Sequence, residues 1–139
     1  MQKIIIDTNV LVSSLIQKSF PHLILNLVID RKVEVCLSNE LLEEYYAVLR
    51  REKFSRYQDS YKNAEQLMVN LQQSCTYFKP SNKLEVIPDK DDNKLMELAE
   101  VSSADFLITG DVNDFTMSQF KETKIVTPKV YWENYRPMS

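Results

Sequence analysis

The acidic residues of this chain gather in four places that suit chemistry. Asp7 ends the apolar run of "KIIIDTNVLV". Glu44 stands in "NELLEEYYAVLR", Asp89, Asp91 and Asp92 in "DKDDNKLMELAE", and Asp111 and Asp114 in "ADFLITGDVNDF". Two carboxylates about 5 Å apart repel by roughly 3 kcal/mol at an effective dielectric of about 20. A cluster of such acids persists when a hard divalent cation neutralises it, and oxygen ligands suit Mg²⁺ or Mn²⁺. Those ions orient a water, lower its pKa and stabilise charge on a phosphoryl oxygen. Carboxylates and metal, without His or Cys, point to phosphodiester hydrolysis.

Each acid also has a plainer reading. Asp7 suits the N-cap of the next helix. On a helix turning about 100° per residue, Leu41, Leu42, Tyr45, Val48 and Leu49 form the buried stripe of "NELLEEYYAVLR". Glu43 points away from that stripe and Glu44 lies at its edge. Asp89, Asp91 and Asp92 precede or open a helix, where acids complement the dipole. The helical wheel does not separate Asp91 from Asp92. Asp111 suits a cap and Asp114 a first-turn acid. What argues beyond caps is that Asp111 repeats the placement of Asp7, just past an apolar strand at the same sheet edge. Gly110 before it suits a left-handed turn.

Scarcity narrows the chemistry. The 139 residues hold one Gly, Gly110, so no Gly-rich phosphate loop exists. The single His, His22, follows Pro21 at a helix start and suits a structural or surface role. No elbow motif marks a nucleophile. Cys36 lies in the apolar run "VEVCLS" and reads as core, and it is too far from Cys75 for a zinc pair. The chain is 44% apolar and 27% charged, ordinary values for a globular domain. The net charge of −3 does not advertise a nucleic-acid binder. Cations bound by the acids would reverse that field locally. No apolar run is long enough to span a bilayer. Met1 leads straight into the first strand, so the expectation is a cytoplasmic protein without signal peptide or disulfides.

The elements that must position the acids alternate. Strands are expected at 3–7, 33–37, 105–109 and 124–127, with a short extended piece at Leu84–Ile87. Helices are expected at 21–31, 39–53, 58–76 and 91–102, with a last one after Pro128. No linker, low-complexity tract or repeat divides the chain, and residues 1–139 read as a single domain. Alternating strands and helices predict an α/β fold, a three-layer α/β/α sandwich with a mainly parallel sheet. Asp7 and Asp111 then lie at the carboxyl edge, where such sheets carry their ligand crevices.

In order and spacing, "IIIDTNVLV", "LLEEYYAVL", "DDNKLMELA" and "ADFLITGDVNDF" resemble the four signatures of PIN-domain nucleases. The likeness runs from about residue 3 to residue 133. It is closest to the compact stand-alone bacterial or archaeal PIN proteins of toxin–antitoxin pairs, related to the VapC type. The first and last motifs are specific together; the middle two are weak alone. The resemblance implies a PIN-like sheet of about five strands. It implies catalytic acids at Asp7, Glu44, Asp92 and Asp111, which with Asp114 are the implied metal ligands. Asp92 is chosen over Asp91 because the family acid lies seven residues before the helix alanine, here Ala99. Asn9 and Thr109 match supporting polar residues. Where relatives often carry a Gly before the last motif's strand, this chain has "VSSAD", a difference that concerns a turn.

The implied activity is Mg²⁺- or Mn²⁺-dependent endonucleolytic cleavage of single-stranded RNA, as the toxin of a toxin–antitoxin system. Partners implied are the RNA, a cognate antitoxin and a second copy of the chain. Substrate grip is a separate matter. "RREKFSRYQDSYK" interleaves Arg50, Arg51, Lys53, Arg56 and Lys62 with Phe54, Tyr57 and Tyr61. Basic groups there could take phosphates while rings stack on bases. The plainer reading is a solvated helix end with aromatics in the core, or a dimer or antitoxin surface. A rival of another class is a PIN fold used as an RNA-binding or regulatory module with little or no catalysis. A haloacid-dehalogenase-like phosphatase would need a second Asp two residues after Asp7, where Asn9 stands. A receiver domain would need a Lys after a late strand, and none is convincing.

Overall fold

Three consecutive isoleucines open the fold. In the computed structural model, Ile4, Ile5 and Ile6 are all fully buried within strand β1 (Lys3–Ile6). Side chains alternate between the faces of a strand, so both faces of the sheet are covered here. The structure describes residues 1–16, 18–51, 58–85, 87, 90–111, 115 and 117–138, the side chains of 58–63, 90 and 91 excepted.

After β1 come α1 (Thr8–Ile16), α2 (Phe20–Ile29), β2 (Glu34–Leu37), α3 (Asn39–Leu49), α4 (Gln58–Gln73), β3 (Cys75–Tyr77) and α5 (Lys90–Ser102). Then follow β4 (Phe106–Ile108), β5 (Gln119–Phe120), β6 (Thr123–Val126) and α6 (Pro128–Asn134). Among the described residues the sheet has six strands, in the order β3-β2-β1-β4-β6-β5. All pairs are parallel except β5 with β6. The fold is therefore α/β with a mainly parallel sheet, as the alternation predicts. The chain steps outward from β1 through β2 to β3, then returns to place β4 on the other side of β1. Ile4, Ile5 and Ile6 pair with Phe106, Leu107 and Ile108. That reversal makes the gap beyond the carboxyl ends of β1 and β4 the switch-point crevice of a doubly wound sheet.

Local chemistry sets the helix ends. Ser38 caps α3, its Oγ accepting the Leu41 N–H at 3.2 Å. Thr127 caps α6 in the same way, accepting from Val130 at 3.1 Å ahead of Pro128. Left-handed backbone is taken by Arg31, Ser103 and Lys121, with φ of 57°, 53° and 52°. Arg31 lies just beyond α2, Ser103 just beyond α5, and Lys121 turns β5 into β6.

Three departures from the sequence reading have physical causes. The expected helix 58–76 stops at Gln73, and Cys75–Tyr77 form the edge strand β3 against β2. β5 is two residues long and exists by pairing with β6. Leu84 and Glu85, expected in an extended piece, lie outside the sheet; the Leu84 N–H instead reaches Glu97 Oε2 at 3.0 Å. Residues 52 and 53 of the expected helix 39–53 lie outside the described residues. Among the described residues, no single helix is long and apolar enough to cross a membrane.

Candidate active site

Asp7 stands where β1 gives way to α1 and is almost fully buried, 7% exposed. Its backbone N–H still belongs to the sheet, reaching Ile108 O on β4 at 2.9 Å. Its carboxylate is met by Thr109, the residue after β4, whose Oγ1 donates to Asp7 Oδ2 at 2.7 Å. Burial pushes the Asp7 carboxyl above the usual carboxylate range. The Thr109 hydrogen bond opposes that shift, and the negative charges of Glu44 and Asp111 add to it. The three carboxylates thus share one electrostatic neighbourhood.

Glu44 reaches this neighbourhood because of the residue beside it. Tyr45 is fully buried on α3, and its hydroxyl donates to Ile6 O, the last carbonyl of β1. That bond fixes the middle of α3 against the carboxyl end of β1. Glu44, at the edge of the buried stripe, then meets Thr8, whose Oγ1 donates to Glu44 Oε2. The other oxygen, Oε1, is held by the ammonium of Lys94 on α5.

Asp111 lies just past β4 and is exposed. Asn9 Nδ2 donates to its Oδ2 at 3.1 Å, and its own N–H donates to Thr109 Oγ1 at 3.1 Å. Thr109 therefore joins Asp7 and Asp111 through one hydroxyl. Gly110 between them does not take left-handed backbone, and a Cβ there would meet no atom of the described residues within 4 Å. The expected left-handed turn is a correction: the chain turns at this point in a conformation open to any residue.

Asp92 is half-buried in the first turn of α5. Asn93 beside it clasps the preceding loop, its Oδ1 accepting from Ile87 N at 3.1 Å and its Nδ2 donating to Ile87 O at 2.9 Å. The side chain of Asp91 and all of Asp114, Lys53 and Arg56 lie outside the described residues. Arg50 and Arg51 are exposed at the end of α3, with the Arg50 guanidinium 5.1 Å from the Tyr46 ring centroid. They lie about 9 Å or more along the helix axis from Glu44, at a rise of about 1.5 Å per residue.

A sequence model of the PIN domain matches residues 3–113. The chain belongs to the PIN-domain family. The uncharacterized protein MJ1680 of Methanocaldococcus jannaschii is 28% identical over 142 residues, 96% of this chain and 91% of that protein. PIN domains are generally nucleases and generally use divalent metal ions.

The side chains of this PIN domain suit such an ion in kind. Asp7, Glu44 and Asp111 offer carboxylate oxygens, and Thr8, Asn9 and Thr109 surround them with oxygen and amide groups. Among the described residues, no three His, Cys, Asp or Glu side chains stand close enough together to enclose an ion in this arrangement. Glu44 is turned to Lys94, and Asp111 to Asn9. The sequence reading passed over Thr8 and Lys94. The sequence signal for Thr8 is its place directly after Asp7; in the fold it is buried. Lys94 had none, since its partner lies 50 residues away.

Proposed function

We propose that this protein is an Mg²⁺- or Mn²⁺-dependent endoribonuclease that cuts single-stranded RNA, and that it is the toxin of a toxin–antitoxin pair. One observation carries the nuclease reading. Asp7 and Asp111 share the Thr109 hydroxyl, and Glu44 and Asp111 reach Thr8 and Asn9, the residues that follow Asp7.

Asp7, Glu44, Asp92 and Asp111 would hold the ion, with Asp114 alongside. The chemistry a bound divalent cation supplies is activation of water and stabilisation of charge on a phosphoryl oxygen. The protein's own groups prepare for it. Thr109 orients the buried Asp7 carboxylate, Thr8 fixes one oxygen of Glu44, and Asn9 holds Asp111. Exposed Arg50 and Arg51, with Lys53 and Arg56 next in the sequence, would take RNA phosphates. The toxin role and its antitoxin and dimer partners follow from the likeness to compact stand-alone PIN proteins.

The test is incubation with a mixed single-stranded RNA pool in Mn²⁺, Mg²⁺ or EDTA, beside Asp7→Asn. Metal-dependent cleavage by the wild type, reduced at least about a hundredfold in Asp7→Asn, is the expected result. Equal cleavage by both proteins would assign the activity to a contaminant. Induced expression of the wild type, but not of Asp7→Asn, should arrest growth if the toxin reading holds. The alternative, a PIN fold serving as an RNA-binding module with little catalysis, draws on the engagement of Glu44 by Lys94. RNA bound without cleavage in any metal would favour it.

A further inference from the structure

Lys94 places a positive charge on an acid of the candidate metal site. Its side chain is 20% exposed and that of Glu44 is 27% exposed, so the pair is largely removed from water. Its position is built in, because Asn93 clamps the start of α5 to Ile87 and Tyr45 clamps α3 to β1. Between them, Thr8 and Lys94 engage both oxygens of the Glu44 carboxylate.

The two partners differ in what they allow. A hydroxyl bonded to one carboxylate oxygen leaves the other open to a cation, and its own oxygen carries lone pairs. An ammonium has three donors, no acceptor and a full charge, so it cannot share an oxygen with a dication without strong repulsion. It does sit on a flexible four-carbon stem and can leave the carboxylate while remaining tethered.

Building on the proposed metal-binding role of these acids, we propose that Lys94 is a tethered counter-ion of the site, which a divalent cation must displace from Glu44. Lys94 neutralises part of the acid cluster in the metal-free protein by pairing with Glu44. Metal occupancy is then a competition between the dication and an ammonium built into the chain. Lys94 is in this sense a positioning residue that sets the metal concentration at which the site assembles.

The experiment is Mn²⁺ binding by the full-length protein, measured by calorimetry and by the paramagnetic signal of free Mn²⁺, for wild type, Lys94→Met, Lys94→Arg and Asp7→Asn. Lys94→Met should bind Mn²⁺ roughly tenfold more tightly or better, because a competing charge is gone. Lys94→Arg, which keeps the charge, should stay near the wild type. Without metal, Lys94→Met should melt below the wild type, and Mn²⁺ should raise its Tm by more. If Lys94→Met is poorly folded, Lys94→Gln removes the charge while keeping a donor for Glu44, and the same tightening is expected. Equal or weaker Mn²⁺ binding by Lys94→Met, with binding lost in Asp7→Asn, overturns the counter-ion role and leaves the metal site standing. No Mn²⁺ binding by any of the four proteins overturns both.

Discussion

Thr109 Oγ1 donates to Asp7 Oδ2 at 2.7 Å across the junction of β1 and β4, joining two residues 102 positions apart in the chain. The same oxygen accepts the Asp111 N–H at 3.1 Å. Thr109 is fully buried, so no water can replace it. Thr109→Val keeps the shape and removes the hydroxyl. A lost hydrogen bond to a charged group costs about 1.5–3 kcal/mol. Urea denaturation should show a loss of about that size. Mn²⁺ affinity should fall by about 10–100-fold, the usual cost of removing a group that orients a metal ligand. Thr109→Ser should restore both.

Asp7 makes stability depend on pH in a direction opposite to most carboxylates. Burial raises its folded pKa above the ordinary Asp value, against the Thr109 hydrogen bond and with help from Glu44 and Asp111. A raised folded pKa means that the folded state holds the proton more tightly than the unfolded chain. Asp7 therefore costs stability as pH climbs from the ordinary Asp range through its folded pKa, and costs none below that range. Asp7→Asn removes the cost. In EDTA, Asp7→Asn should be more stable than the wild type at neutral pH, with the gap closing as pH falls toward the ordinary Asp range. Urea titrations of both proteins across that interval give the answer directly. A wild type more stable at neutral pH would mean that Asp7 gains more from its partners than it loses to burial.

Legibility in the sequence tracked how local each signal was. Ile4-Ile5-Ile6 announces a strand covered on both faces, and Asp7 at its tip follows by counting. The stripe Leu41, Tyr45 and Leu49 is buried as its spacing predicts, which put Glu44 at the edge of the core. Val48 and Leu42 are only half-buried, so the stripe is narrower than its hydrophobicity suggests. β3 was hidden because "CTY" carries little apolar bias; it is an edge strand whose place comes from pairing Val35 with Cys75. The two residues of β5 have no local signal at all. Lys94 is the case that matters most for function. Nothing in "DDNKLMELA" distinguishes a solvated lysine from one that crosses to another helix. Only the clamping of α3 and α5 determines that it meets Glu44.

The two thiols should separate by reactivity. Cys36 is fully buried on β2, and burial pushes its thiol up to about 11. Cys75 is half-buried on the edge strand, where burial also raises its thiol, with its Sγ 3.3 Å from Gln72 O. The thiolate is the reactive species, so both burial and a raised pKa slow Cys36. A maleimide pulse at neutral pH should label Cys75 in the native protein and Cys36 only after denaturant is added. Mass spectrometry of the digested protein distinguishes the sites. Native labelling of Cys36 at a comparable rate would mean that β2 opens far more readily than its place inside the sheet allows.

Among the described residues, the chain's one glycine is not at a left-handed position. Ser103 follows α5 with φ of 53° and is exposed, its N–H donating to Ala99 O at 3.0 Å. That is the position after a helix where Gly is most favoured. A side chain in left-handed backbone costs about 1–2 kcal/mol, while Gly adds about 0.4–1 kcal/mol of unfolded-state entropy. Ser103→Gly should therefore gain of the order of 0.5–1 kcal/mol, the difference between those two effects. Gly110→Ala works the other way. Its backbone is not left-handed and a Cβ there meets none of the described residues within 4 Å, so the entropy effect favours the variant. It should raise stability by up to about 1 kcal/mol. Urea denaturation of the two single variants and the double variant checks both, and the gains should add because the sites share no contact. A destabilised Gly110→Ala would show that the turn before Asp111 visits a conformation that only glycine allows.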